Sequence, residues 1–220
     1  MSETSFAAPE IAASRQRGIP ADEGELWKIL RIDAERVAAG EEMLRDFLDL
    51  AVLRHDGFAS GLGLLLARKL AEYSMPVQRL GEIARAAVAG DPTILAAATA
   101  DLVAIRTRDP AAENYLKPFL YYKGFHALQW QRIGHWLWRD GRRELAHFLQ
   151  SRVSEIFAID IHPAVPIGRP DITTLRRSAQ YVIDREKDGA SDPRNGPLCG
   201  CWNIQAKVRF FILRLLPRSQ

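Results

Sequence analysis

The sequence feature that most constrains the fold is a change of period within residues 121–168. Up to Phe157 the apolar residues recur at helical spacing. Trp130, Ile133, Gly134 and Leu137 form one stripe, and Leu145, Phe148, Leu149, Val153 and Ile156 form the next. From Ala158 the text becomes short, β-favouring and punctuated by Pro163 and Pro166, so a helical layer ends and a strand-like segment is expected to begin. Function is expected at that junction. Gly141 separates the two stripes, which implies antiparallel helices. Gly134 lies inside the first helix, where glycine costs ~1 kcal/mol against alanine, so it calls for a packing reason.

Upstream, amphipathic patterns predict helices over 25–39, 41–55, 58–72, 76–89 and 92–105, with a short helical turn at 117–122. Asp91 reads as an N-cap with Pro92 in the first turn, and Pro76 opens the preceding helix in the same way. The pattern then breaks at 106–109, because Pro110 disfavours helix at Asp109. No strand signature and no recurring motif appears across these helices, which favours an irregular helical bundle over a repeat array. The chain of 220 residues has room for one sizeable domain and an appendage. It holds no apolar run of the ~18 residues that a membrane span needs. Its first twenty residues lack a secretory signal and read as a disordered leader.

Charge is uneven. From Gly168 onward ten Lys/Arg face five Asp/Glu, leaving twenty and twenty-two in the body. Cys199 and Cys201 make a lone CxC, two of the four ligands a structural zinc needs, and read as free thiols in a reducing cytosol.

Three residues stand out as chemistry. Asp109, flanked by Arg106 and Arg108, is either a turn residue or one partner of a surface ion pair. Asp160 and His162 lie two apart, so in a strand they would face the same side. A carboxylate beside an imidazole orients the ring for general-base work, although a polar pair at a strand end reads the same way. His126, His135 and His147 fit no HxxxH or HExxH spacing, so no metal site is signalled.

The text YLKPFLYYKGFHALQWQRIGHWLW, then GRRELAHFLQSRVSEIFAIDIHPAVPIG, with RTRDP at 106–110, resembles the domain junction of the serine O-acetyltransferases. The likeness runs from about Leu26 to Arg169, roughly two-thirds of the chain. It implies a mainly α fold, an irregular helical N-terminal domain followed by a left-handed β-helix. The implied activity is transfer of acetyl from acetyl-CoA, a co-substrate and not a tightly bound cofactor, to L-serine in the cytoplasm. By the same resemblance Asp109 helps hold the substrate ammonium. Asp160 orients a histidine carried further along in a Leu-Asp-His-Ala-Thr-Gly segment, and His162 plays a supporting structural part. Homo-oligomerisation through the helices is implied as well.

The family continues with hexapeptide repeats, in which every sixth residue points inward. Ile161 and Ile167 keep that register for one coil, the next position is Thr173, and no later Ile/Val/Leu-Gly pair follows. The remaining text reads instead as a charged helix over 172–188, a turn-rich loop and a second helix over 205–216. The expected organisation is therefore a leader (1–20), a helical domain (21–157), only the first β-helix coil (158–169) and a divergent, partly helical, basic tail (170–220). A catalytic half truncated or replaced by frameshift, rearrangement or fusion accounts for this, and negligible turnover is expected of the polypeptide alone. The rival reading is a non-catalytic oligomerisation or interaction module. A third places Lys207, Arg209, Arg214 and Arg218, interleaved with Phe210, Phe211 and Leu213, weakly on an anionic membrane. Nucleic acid is not an expected partner, since no binding motif accompanies the charge.

Overall fold

The computed structural model describes residues 19–109 and 111–168. The expected leader up to residue 18, and the expected tail helices, cysteines and basic residues beyond 168, lie outside the described residues.

Eight α-helices follow in order among the described residues: α1 (Glu23–Gly40), α2 (Arg45–Leu48), α3 (Phe58–Leu70), α4 (Val77–Gly90), α5 (Thr93–Arg108), α6 (Leu116–Tyr121), α7 (Lys123–Arg139) and α8 (Arg143–Phe157). None of the described residues is in a strand. The fold is mainly helical, as the periodicity predicts. Helix α7 is the hub: α4, α5, α6 and α8 all pack on it, and its residues are buried almost all round. Helices α7 and α8 pack closely against each other across only the short turn at 140–142, which makes them antiparallel neighbours. Gly141, at φ +80°, makes the reversal, a conformation open to glycine at no steric cost.

Three expectations need correction. Residues 41–55 are not one helix. A 3₁₀ turn (Glu42–Leu44), the single α turn α2 and a π turn (Asp49–Leu53) succeed one another. Side chains of α1 set this register. Arg31 Nη1 donates to the carbonyls of Leu53 (2.7 Å) and His55 (3.1 Å), and Trp27 Nε1 donates to His55 as well (3.3 Å). Leu48 and Val52 are buried, whereas Phe47 sits at the rim, stacked on Tyr121. Second, α5 runs through Arg108 and does not break at 106, because the Asp109 amide still bonds to Ile105. Nor is Asp91 the N-cap: regular winding starts at Thr93, one residue later than expected, so Pro92 takes the cap position, while the Asp91 side chain accepts from the Thr93 amide at 3.1 Å.

The third correction concerns 158–168, expected to be strand-like. The segment is irregular, with a turn in which the Val165 amide bonds to His162. A strand needs a neighbour to pair its carbonyls. Here side chains of α7 take them.

The core between α1, α3 and α6 is an aromatic cluster, with Trp27 edge-on to Phe119 at 6.0 Å and Phe58 tilted against both. Gly61 of α3 lies beneath the Trp27 ring, where a Cβ would stand 2.3 Å from the indole. The ring is buried and anchored by its nitrogen, so it has little freedom to yield. Gly61→Ala is expected to destabilise by about 1–3 kcal/mol despite alanine's better helix propensity, read as a lower urea midpoint.

Candidate functional site

The site is built on the α7–α8 hairpin. Ala158, in the left-handed region at φ 58°, terminates α8 and turns the chain back over it. The returning segment is held by three α7 side chains. Gln131 Nε2 donates to the carbonyls of His162 (3.1 Å) and Val165 (2.7 Å). Arg132 donates to Ile167 (3.4 Å) and Gly168 (3.0 Å), and His135 Nδ1 bonds to Pro163 (2.8 Å). Arg132 is itself fixed by Asp101 of α5. Its Nη1 reaches Asp101 Oδ2 at 2.5 Å and Gln129 Oε1 at 2.7 Å, while Gln129 Nε2 donates to the same carboxylate at 2.9 Å. Both charges are about 95% buried, so the pairing offsets a desolvation penalty of several kcal/mol per ion.

Asp160 is exposed and its Oδ1 accepts from Gln150 Nε2 of α8 at 2.7 Å. Gln150 Oε1 accepts in turn from His147 Nδ1 at 3.3 Å. His162 is half-buried. Its Nδ1 accepts from the Ala164 amide at 3.1 Å, and its ring packs edge-to-face on Trp138 (5.1 Å) and His147 (5.3 Å). Arg143 lies over the same indole, 5.0 Å from its centre. Asp160 and His162 thus share a neighbourhood with His147, but not through the strand geometry expected of residues two apart.

Asp109 follows the last turn of α5, and its Oδ1 accepts from the Ala111 amide at 3.0 Å. The first residues of α5, Thr93 and Ile94, face Ile167 and Gly168. At 1.5 Å per residue a helix of 16 residues separates its ends by roughly 24 Å. No hydrogen bond or ion pair joins Asp109 to Asp160 among the described residues.

Two voids flank the junction. One of about 10 Å³ lies between α7, α8 and Pro163, and one of about 80 Å³ lies between α5, α7 and Gly168. Small-molecule sites run to about 300–1,000 Å³, so neither is a substrate pocket by itself. Among the described residues no group of three His, Cys, Asp or Glu is placed to hold a metal. No single helix there is long and apolar enough to cross a membrane, although α4 and α5, bent by 99°, reach that composition as a pair.

His126 has a proton affinity shifted by its surroundings. It is fully buried, between Phe125 and Phe157, with Nε2 donating to the Phe119 carbonyl at 2.7 Å. Burial pushes its pKa down from 6.5 to about 4, the Phe119 bond working against that shift and Lys69 with it. Between those values the unfolded chain takes up a proton that the folded chain refuses. Its contribution to stability is complete above pH 6.5 and declines toward pH 4, by about 3 kcal/mol in all. His126→Gln keeps a donor near Phe119 but does not titrate, so the wild-type minus variant difference in urea midpoint is expected to shrink as pH falls from 6.5 toward 4.

Asp109, Asp160 and His162 were visible in the sequence, whereas Asp101, Gln129, Gln131, Arg132 and Gln150 were not singled out. The available signal was a polar cluster, Gln129, Gln131 and Arg132, inside a helix otherwise apolar enough to be buried.

Comparison with known proteins adds a family. Residues 26–130 match the model for the N-terminal region of serine acetyltransferase. The serine acetyltransferase of Salmonella typhimurium is 49% identical over 152 residues, 69% of this chain and 56% of that protein. A solved serine acetyltransferase in complex with CoA superposes with a TM-score of 0.64 at 43% identity, over 66% of this chain and 61% of that one. The Neisseria gonorrhoeae enzyme in complex with serine gives 0.62 at 48% identity, over 63% and 58%. The chain spans little more than half the length of the curated relatives it matches.

Proposed function

Through its helical body the chain belongs to the serine acetyltransferase family, and from that premise we propose that it is the helical platform of an L-serine O-acetyltransferase. In that reaction the serine hydroxyl loses its proton to a general base and attacks the acetyl-CoA thioester. The thioester C–S bond breaks, and O-acetyl-L-serine and CoA leave. The relatives solved with CoA and with serine support acetyl-CoA and L-serine as the substrates.

In this reading Asp109 receives the serine ammonium, for which a carboxylate at a helix end, half-exposed and held by one backbone amide, has free acceptor capacity. Asp160 orients the base, and His162, packed on Trp138 and His147, supports the segment that carries Asp160. The observation that carries the proposal is the clamp from Gln131, Arg132 and His135. It fixes the Asp160-bearing segment on α7, within a chain 49% identical to the Salmonella relative over 152 residues. The residues after 168 contain no histidine, so the base is not supplied there.

The test is a chimera of residues 1–168 with the C-terminal half of the Salmonella relative, assayed for thiol release from acetyl-CoA. Turnover that needs L-serine, with Asp109→Asn raising KM and Asp160→Asn lowering kcat, is the expected result. A folded chimera without turnover would sink the proposal.

A second reading, a non-catalytic assembly module, is favoured by one surface. Met43 is 88% exposed, as is about half of Tyr121, whose ring is stacked on Phe47, and exposed apolar side chains of this kind invite a partner. Sedimentation of the full chain alone and with an intact relative decides it, since a monomer that ignores the relative removes this reading.

A further inference from the structure

We propose that the void between α7 and α8 is a binding site for one ordered water molecule, which bridges Gln131 to Gln150 behind Asp160. Three observations meet there. Gln131 is 94% buried, and its Oε1 accepts from no donor among the described residues. Its amide has no freedom to flip, because Nε2 already donates to the carbonyls of His162 and Val165, and a flip would set the oxygen against both.

The void lined by Gln131, Gly134 and Gln150 measures about 10 Å³, the scale of a single water. Gln150 spends one Nε2 hydrogen on Asp160 and has a second to offer. A water there donates to Gln131 Oε1 and accepts from Gln150.

Gly134 then has its reason. A Cβ at that position would meet only Pro163 at 3.9 Å and Gln131 Oε1 at 4.0 Å, ordinary contacts, so sterics do not demand glycine. What alanine would do is fill the space the water needs. Glycine in mid-helix sacrifices helix propensity to keep the Gln131 acceptor hydrated.

The site and the alternative, a dry void, make opposite predictions for the full chain. If the void is dry, Gly134→Ala raises Tm by about 2–4 °C through helix propensity alone. If it holds water, that gain is abolished or reversed, because the methyl displaces the water and orphans a buried acceptor. The gain returns in a Gln131→Met background, where nothing needs hydrating. The expected result is a difference of at least about 2–4 °C between the two Gly134→Ala shifts. Equal gains in both backgrounds overturn the proposal. Should Gln131→Met not fold, a long-lived water cross-peak to the Gln131 side-chain amide, present in wild type and lost in Gly134→Ala, supports the site, and its absence from wild type refutes it.

Discussion

The purified chain, given acetyl-CoA and L-serine, is expected to release thiol at least about 10²–10⁴-fold more slowly than an intact relative, the contribution of a positioned general base. The serine hydroxyl is a weak nucleophile until a base takes its proton, and in the proposed reaction the base is an imidazole that Asp160 orients. His162 is the last histidine in the sequence. The two imidazoles nearest Asp160 do not take its place. His147 reaches the carboxylate only through Gln150, with Nδ1 turned to the amide oxygen. His162 uses Nδ1 to accept from Ala164. The voids beside the junction, about 10 and 80 Å³, are also too small to seat the thioester. A continuous thiol assay measures the rate. Serine-dependent turnover near that of the Salmonella relative would show that another group serves as base, and the proposed division of labour would fail.

Much of the fold was legible because helix packing leaves a strong periodic trace. The stripes on α7 and α8 predict both helices and their antiparallel pairing, and Trp130, Ile133, Leu149 and Val153 are buried as the stripes require. The losses occur where tertiary hydrogen bonds override local pattern. Residues 41–55 carry an amphipathic stripe, yet Arg31 and Trp27 draw in the carbonyls of Leu53 and His55, and a π turn results. The segment from Ala158 alternates like a strand, but its carbonyls are taken by Gln131, Arg132 and His135 from a neighbouring helix.

The candidate site was legible in its acids and not in its scaffold. Asp109 precedes a proline and Asp160 sits in a recognisable DIHP text, features visible in one dimension. Asp101 reaches its partner Arg132 across 31 positions, and no spacing rule connects them. Their only trace was charge placed where an apolar residue was due.

That buried pair sets the largest expected effect on stability. Arg132→Met leaves the Asp101 carboxylate about 94% buried with only the Gln129 amide to satisfy it, an arrangement that costs about 3–5 kcal/mol. For a domain whose whole stability is of order 5–15 kcal/mol, much of the margin disappears, read as a large fall in urea midpoint at unchanged slope. Asp101→Leu alone strands the guanidinium in the same way and is expected to cost as much. The double variant removes both charges and is expected to recover most of the loss, because an apolar pair of similar volume avoids the desolvation that the ions suffer. The hydrogen bonds from Arg132 to Ile167 and Gly168 behave differently, since they stay lost in the double variant. Amide hydrogen exchange over α7 is therefore expected to return to wild-type protection while the Val165 amide, at the end of the clamp, exchanges faster. If the double variant is no more stable than either single one, the pair is not the energetic unit described, and the clamp on the junction carries the cost instead.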